Sequence, residues 1–213
     1  MRSLAFLCAR RVAAHPALVA PRRFGDLVSL RLPYGNVDVR RLPPGADLAG
    51  LAARLGRLAR LKELNLGSSR LSGQLALLLG DLQGPLESLE LAFCSLLPCD
   101  LAYLSRSAHA PALKKLDLSG HDLSAALLQP FQELLEAAAA SLLHLDVMEC
   151  RLADGALRAL LPPLTRCRRL RSLGLFGNPL STAALRELLL RTAPLAELRL
   201  VVYPYPADCY HED

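Results

Sequence analysis

An eleven-residue leucine pattern recurs along the chain and constrains the fold more than any other feature. Its form is L-x-x-L-x-L-x-x-N/C-x-L, where x is any residue, and we number its places one to eleven. Five copies read LKELNLGSSRL, LESLELAFCSL, LKKLDLSGHDL, LLHLDVMECRL and LRSLGLFGNPL, and they start at Leu61, Leu86, Leu113, Leu142 and Leu170. The starts lie 25, 27, 29 and 28 residues apart, and weaker copies start at Leu27 and Leu195. Five copies in one phase indicate a structural repeat rather than a leucine-rich composition.

The spacing inside each unit predicts a strand followed by a helix. Places four, five and six alternate apolar, polar and apolar, which is the pattern of a strand with one buried face. Between the copies, apolar residues recur at three- and four-residue steps, and we expect Ser72 and Ser181 to cap two helices. The predicted fold class is α/β: a leucine-rich-repeat solenoid, or horseshoe, with short parallel strands on its concave side and helices on its convex side.

Composition divides the chain into three predicted segments: a basic N-terminal segment with a weak first repeat (1–45), the repeat array (46–203) and a short C-terminal tail (204–213). Residues 1–60 contain eleven arginines and three acidic residues, whereas 61–213 contain fourteen basic and seventeen acidic residues. The Arg-rich start favours an ordinary helix with a basic face over its alternative, a mitochondrial targeting sequence. A solenoid needs a polar cap over its last leucines, and the tail is short for that purpose. We therefore expect the chain to be shortened.

The ninth place is where the chain leaves each strand, and its side chain is predicted to point inward. Backbone groups there need hydrogen-bond partners, which asparagine supplies and a small thiol also satisfies. The spacing of Cys94 and Cys99 does not match a zinc motif, so no metal site is predicted. The residues predicted to be structural at this turn are Ser69, Cys94, His121, Cys150 and Asn178.

The motifs of common enzyme classes are absent from the chain. It contains no H-E-x-x-H, phosphate-binding loop or G-x-S-x-G sequence. His144 and Asp146 share a predicted strand face and are open to interpretation as a base with its orienting carboxylate, but a solvated surface is favoured. We predict no enzyme activity, cofactor or small-molecule substrate. The array has no basic stripe for nucleic acid, and no apolar run is long enough to predict a membrane span.

The concave side of the strands is the predicted surface for a protein partner. The fifth places form an acidic centre, and Phe93, Met148 and Phe176 stand near the rim, where they are predicted to be hot spots or else to pack over neighbouring loops. Lys62, Lys114 and Arg171 form a basic edge at the second places. This arrangement favours a partner that presents a basic segment. The predicted partner-binding residues are Glu90, Phe93, Asp117, His144, Asp146, Met148, Phe176 and Arg199.

Two long stretches carry a family resemblance that includes the loops as well as the leucines. They are LKELNLGSSRLSGQLALLLGDLQGPLESLELAFCSLLPCDLAYLSRSAHAPALKKLDLSGHDLS and LLHLDVMECRLADGALRALLPPLTRCRRLRSLGLFGNPLSTAALRELL, followed by VVYPYPADCY. The chain resembles the leucine-rich repeat-containing protein 14 and 14B group of the PRAME family from about Leu48 to Tyr210. The departures are an apparent shortening near Val19 to Phe24 and a family sequence that continues past Tyr210.

The resemblance implies a function as a protein-interaction scaffold. Members of this family resemble substrate-recognition adaptors of cullin-2 RING ubiquitin ligases, in which an N-terminal segment engages elongin and the horseshoe selects a client for proteasomal degradation. The elongin-binding segment is expected where this chain departs from the family. The alternative function is therefore a non-catalytic module that sequesters or inhibits a cytosolic signalling protein. Six dispersed cysteines and no N-glycosylation sequon favour the cytoplasm, with the nucleus as a second compartment.

Overall fold

The computed structural model describes residues 3–5, 26–32 and 48–209, and the structural statements below concern those residues. Their strands form one open parallel sheet, in which every strand pairs with its neighbours in chain order. The strands are β1 (Ser3–Ala5), β2 (Ser29–Arg31), β3 (Glu63–Asn65), β4 (Ser88–Glu90), β5 (Lys115–Asp117), β6 (His144–Asp146), β7 (Ser172–Gly174) and β8 (Leu200–Val202).

Helices connect the successive strands from β2 onward. They are α1 (Leu48–Leu55), α2 (Leu75–Leu79), α3 (Pro98–Arg106), α4 (Leu128–Ala138), α5 (Asp154–Arg166) and α6 (Thr182–Thr192), with 3₁₀ turns at Ala110–Ala112 and Ala207–Cys209. Each helix packs against the next helix along the chain. This alternation of strand and helix in a parallel sheet confirms the predicted leucine-rich-repeat solenoid. No helix in the described part of the chain is long and apolar enough to cross a membrane.

One column of leucines runs through the interior, perpendicular to the strands. The strand pairing joins Leu64 to Leu89, Leu116, Leu145 and Leu173 in a single row, and each of the five is at most 1% exposed. Burial of a leucine side chain contributes about 2 kcal/mol to stability. A single unit cannot bury its own leucine face, so the stacked neighbours provide the core.

The N-terminal copy of the pattern joins the same column. Leu30 of β2 pairs with Leu64, as the copy that starts at Leu27 predicts. β1 extends the sheet by one more parallel strand, since Leu4 pairs with Leu30, and the sequence pattern did not predict this strand. The predicted N-terminal helix and its mitochondrial alternative span residues 1–24. The helix is wrong at Ser3–Ala5, which pair with β2 as a strand, and residues 6–24 lie outside the described residues.

The predicted alignment of the last repeat is wrong by three residues. Val201, rather than Leu198, pairs with Leu173, and Val202 pairs with Gly174. Arg199 therefore does not occupy the fifth place. It stands at the second place, where its N–H donates to the Arg171 carbonyl. The β-branched pair of valines suits a strand better than the preceding Leu-Arg, and the polar-apolar alternation that guided the prediction is lost there.

The turn after each strand uses a left-handed backbone at the eighth place. φ is positive at every eighth place from β3 to β7: Ser68, Phe93, Gly120, Glu149 and Gly177. Glycine meets this requirement at no steric cost, whereas the other three residues are held there by their surroundings. The eighth place therefore points its side chain out at the carboxyl ends of the strands.

The two predicted helix caps have different outcomes. Ser181 caps α6, because its Oγ accepts the Ala184 N–H at 3.1 Å. Ser72 does not cap α2, which begins at Leu75 after Gln74. Instead, the Asp100 carboxylate from the next repeat accepts the N–H groups of Gly73 at 2.8 Å and Leu75 at 3.0 Å. A local sequence signal could not reveal a cap that is supplied 25 residues away.

Candidate protein-binding face

Asn178 shows what the ninth place does for the fold. It is 3% exposed, and its Oδ1 accepts the N–H groups of Cys150 and Leu152, both at 3.0 Å. Its Nδ2 donates to the carbonyls of Val147 at 2.9 Å and Leu175 at 2.7 Å. One amide thus satisfies four backbone groups on two adjacent repeats where the strands end.

Cys94 and Cys150 use the same place with a thiol. Sγ of Cys94 donates to the carbonyl of Leu66 on the preceding repeat at 3.1 Å, and Sγ of Cys150 donates to that of Leu118 at 3.3 Å. Burial raises the pKa of Cys94 to about 12 and that of Cys150 to about 11. Both thiols therefore stay protonated donors, in keeping with the structural role predicted for them.

His121 completes the ladder with an imidazole. Its Nε2 accepts the Cys94 N–H at 3.2 Å, and its Nδ1 lies 2.7 Å from the Leu118 carbonyl. Burial lowers the pKa of His121, although its bond to Leu118 and the charge of Asp117 act in the opposite direction. His109 behaves alike, because its Nδ1 accepts the Leu86 N–H at 3.1 Å and burial lowers its pKa. Both rings are held in the neutral form.

We expect the protein to lose stability when the pH falls below about 6.5, the ordinary pKa of histidine. The folded pKa values of His109 and His121 lie below the unfolded value. Their contribution is therefore complete above pH 6.5 and declines as pH falls towards the folded pKa values. Urea unfolding at pH 7.5 and 5.5 measures this loss. His121→Asn, which places a non-titrating amide at the ninth place, should make the loss smaller; an equal loss would contradict the assignment.

The concave face comprises the side chains at places three, five and seven of β3 to β8. Among the carboxylates of this face, that of Glu90 has both a hydrogen bond and an ion pair. Its Oε2 accepts a hydrogen bond from Nδ2 of Asn65 at 2.8 Å, and its Oε1 lies 3.0 Å from Nζ of Lys115. Lys115 is the lysine of this face, and Glu90 engages it. The predicted acidic centre is therefore unequal, because its charge is neutralised at β4 but not on the two strands that follow.

Asp117 and Asp146 sit side by side at the fifth places of β5 and β6. Oδ1 of Asp117 accepts the Ser119 N–H at 2.9 Å, while among the described residues the Asp146 carboxylate has neither a hydrogen bond nor an ion pair. Burial raises the pKa of Asp146, and the charge of Asp117 raises it further against the opposing charges of Lys115 and His144. This half-buried carboxylate lacks a cation of its own.

His144 bonds to a serine and not to Asp146. Its Nδ1 lies 2.8 Å from Oγ of Ser172, directly across the β6–β7 pair. The interpretation of His144 and Asp146 as a base and its orienting carboxylate therefore lacks the required hydrogen bond between them.

The three rim residues differ in exposure. Phe93 exposes 48% of its surface and Phe176 exposes 55%. The Phe93 ring also lies over Gly120, where any Cβ atom would collide with it, so it both packs on the next loop and faces solvent. Met148 is half-buried beside Gly174. Their role as binding hot spots stays a prediction.

The predicted basic edge at the second places is paired rather than free. Glu87 also stands at a second place, and its carboxylate lies 2.6 Å from Nζ of Lys114 and 3.9 Å from that of Lys62. Arg171 pairs with Glu197 at 3.1 Å. These exposed ion pairs are worth little in stability, but Glu87 offsets one of the two lysine charges and Glu197 offsets the charge of Arg171. At the fifth places of β5 and β6, the charge without an ion pair among the described residues is the negative charge of Asp117 and Asp146.

Within residues 3–5, 26–32 and 48–209, no group of three or more His, Cys, Asp or Glu side chains is arranged to hold a metal ion. The free cysteines of this part of the chain are Cys94, Cys99, Cys150, Cys167 and Cys209.

Solved structures with a similar fold include an internalin of Listeria monocytogenes, which is 18% identical with a TM-score of 0.44 over 86% of this chain and 57% of that one. A protein from Bacteroides fragilis is 14% identical with a TM-score of 0.44 and covers 98% of this chain and 75% of its own.

Sequence comparison gives much closer relatives. Leucine-rich repeat-containing protein 14 is 61% identical in Xenopus laevis, over 89% of this chain, and 58% identical in Homo sapiens, over 88% of it. Human PRAME family member 20 is 37% identical over 87% of the chain. The chain spans 38% of the length of the first two relatives and 40% of the third. The family model of the PRAME C-terminal domain matches residues 45–213. The chain therefore belongs to the PRAME family.

Proposed function

We propose that the chain is the recognition part of a substrate adaptor for a cullin-2 RING ubiquitin ligase, and that its concave face binds a basic segment of the client protein. The observation that carries the proposal is the pair of neighbouring carboxylates at Asp117 and Asp146, of which the second has no cation. A repeat fold of the PRAME family supports the coarser statement that the chain is a protein-interaction scaffold.

The energetics favour a cationic partner. Burial and the charge of Asp117 both raise the Asp146 pKa, so the ionised carboxylate is destabilised in the free protein. A lysine or arginine placed between the two carboxylates would remove that destabilisation and form charge-assisted hydrogen bonds. The same contact at Glu90 would have to displace Lys115 and Asn65.

The ligase part of the proposal rests on the family resemblance. The chain spans 38% of the length of its leucine-rich repeat-containing protein 14 relatives, so a role of the whole protein is proposed for it by resemblance. The alternative is that the chain binds a cytosolic signalling protein and blocks it without recruiting a ligase. In either role we propose a cytoplasmic location, with which the free thiols of the described cysteines agree.

Affinity purification of the tagged chain from cells, with and without a proteasome inhibitor, separates these functions. If the elongin-binding segment is retained, we expect elongin and cullin-2 to copurify, together with client proteins that accumulate under inhibition. Asp117→Lys combined with Asp146→Lys should retain the ligase subunits and lose the clients by about tenfold or more, as expected for reversal of partly buried interface charges.

Glu133→Lys combined with Glu136→Lys is the matched control, because it makes the same charge change on the convex helix α4. This control should retain both the ligase subunits and the clients. Absence of elongin and cullin-2 with concave-dependent binding of another protein would favour the alternative function. Equal client binding by the concave variant and the control would contradict the concave face as the binding surface.

A further inference from the structure

The concave face has an apolar end beside its acidic centre. At places three and five, strands β3 to β7 carry polar, charged or glycine residues, whereas β8 carries Leu200 and Val202. Leu200 exposes 56% of its surface, and Val202 is half-buried. Phe176, two residues beyond the end of β7, exposes 55%. Exposed apolar side chains that adjoin one another mark an interaction surface, whereas single ones do not.

Gly174 brings the acidic and apolar parts together. A Cβ atom at Gly174 would collide with Oδ1 of Asp146 and would lie 2.5 Å from Cε of Met148. Both side chains from β6 therefore lie across β7, in the space that a larger residue would fill. Because neighbouring strands are about 4.8 Å apart, the Asp146 carboxylate stands roughly one strand spacing from Val202.

We propose that this surface binds an extended peptide segment in which a lysine or arginine and a large apolar residue stand two positions apart. The inference rests on the proposed function and adds the apolar residue and the spacing. The basic group lies over Asp117 and Asp146, and the apolar side chain packs on Leu200, Val202 and Phe176. Residues two positions apart in an extended chain point to the same side and are separated by about 7 Å, which lies between one and two strand spacings.

The charges of the surface select the basic residue over a neutral polar one. Nζ of Lys115 lies 3.0 Å from the Glu90 carboxylate and neutralises it. An incoming basic side chain therefore pairs with the carboxylates of Asp117 and Asp146. The aliphatic stem of an arginine or lysine that reaches these carboxylates also covers the half-buried Met148. A segment with an acidic residue at this position would add a third carboxylate to the pair and be rejected.

Peptide selection followed by double-mutant cycles tests the two contacts separately. A display library of random twelve-residue peptides is selected on the purified chain, and an enriched peptide is labelled with fluorescein. Its affinity is measured by anisotropy beside two derivatives, one with glutamine for the basic residue and one with alanine for the apolar residue. The protein variants are Asp146→Asn, Leu200→Ala and the convex control Glu133→Gln, each checked for folding by circular dichroism.

We expect selected peptides to pair a basic with an apolar residue at the stated spacing. Asp146→Asn should weaken the parent peptide about tenfold and leave the glutamine derivative unchanged, because only the first makes a charged contact. Leu200→Ala should weaken the parent about fivefold and leave the alanine derivative unchanged. Glu133→Gln should change none of the three affinities.

Three results would overturn the inference. In the first, selected peptides need only a basic residue and no longer bind the protein variant Asp117→Lys with Asp146→Lys. This result would overturn the inference while the proposed function stands. Peptides that bind the double variant as well as the parent protein would overturn both. A dimer in sedimentation that Leu200→Ala dissociates would show that a second copy covers the apolar end.

Discussion

Asn178→Ala is expected to lower the free energy of unfolding by about 4 kcal/mol. Two N–H groups, of Cys150 and Leu152, and two carbonyls, of Val147 and Leu175, lose their partner in the interior. Each buried group left without a partner costs about 1–3 kcal/mol. Because repeats are stabilised mainly by their neighbours, amide hydrogen exchange should show the loss first in the repeats that contain β6 and β7.

Ser69→Ala provides the control at the same place of another repeat. Ser69 is fully buried, and its Oγ has no hydrogen-bond partner among the described residues. Removal of this hydroxyl should leave stability within about 0.5 kcal/mol or raise it, since an unsatisfied buried group is lost. Urea unfolding followed by circular dichroism compares both variants with the parent. Similar values for the two would show that the amide of Asn178 contributes no more than a small buried side chain.

Asp100→Ala is expected to lower the free energy of unfolding by about 3 kcal/mol. The carboxylate is 1% exposed and accepts three N–H groups: those of Gly73 and Leu97 at 2.8 Å and that of Leu75 at 3.0 Å. These hydrogen bonds link the start of α3 to the turn before α2. Hydrogen bonds to a charged group contribute about 1.5–3 kcal/mol each. Alanine leaves the buried N–H of Leu75 and the part-buried N–H groups of Gly73 and Leu97 without this acceptor.

Two further variants refine this measurement. Asp100→Asn retains one acceptor oxygen and should cost less than the alanine variant. Asp154→Ala removes the equivalent link to the Ser181 N–H at 2.9 Å, but this carboxylate is more exposed, so water replaces the lost contact and about 1 kcal/mol is expected. If Asp154→Ala proved as costly as Asp100→Ala, the burial of Asp100 would not be the cause of its effect.

The comparison of sequence with structure separates strong signals from weak ones. Leu64, Leu89 and the three leucines that follow them were placed correctly because five copies share one phase and all point into one core. The last copy was misplaced because Leu195 and Leu198 imitate the pattern, while Val201 enters the column. A weak copy carries too few leucines to decide between two registers three residues apart.

The candidate face was predictable in outline and not in detail. The acidic fifth places were evident from the sequence, but the pairing of Lys115 with Glu90, which leaves Asp117 and Asp146 without a lysine, depends on side-chain geometry between strands. The leucine spacing predicts Arg199 on the face, whereas Arg199 lies at the second place. The role of Gly174 was also missed, although a glycine at a concave place is a signal that neighbouring side chains cross it.

The sequence by itself determined the solenoid, the order of its strands and the inward direction of the ninth place, because periodic leucines can be buried only by stacking and the turn needs a polar partner at a constant offset. Tertiary structure alone decided which charges remain free, which repeat supplies each cap and where the acidic and apolar parts of the concave face meet. Those features depend on contacts between residues 25 to 30 positions apart, whose distances are set only when neighbouring repeats pack.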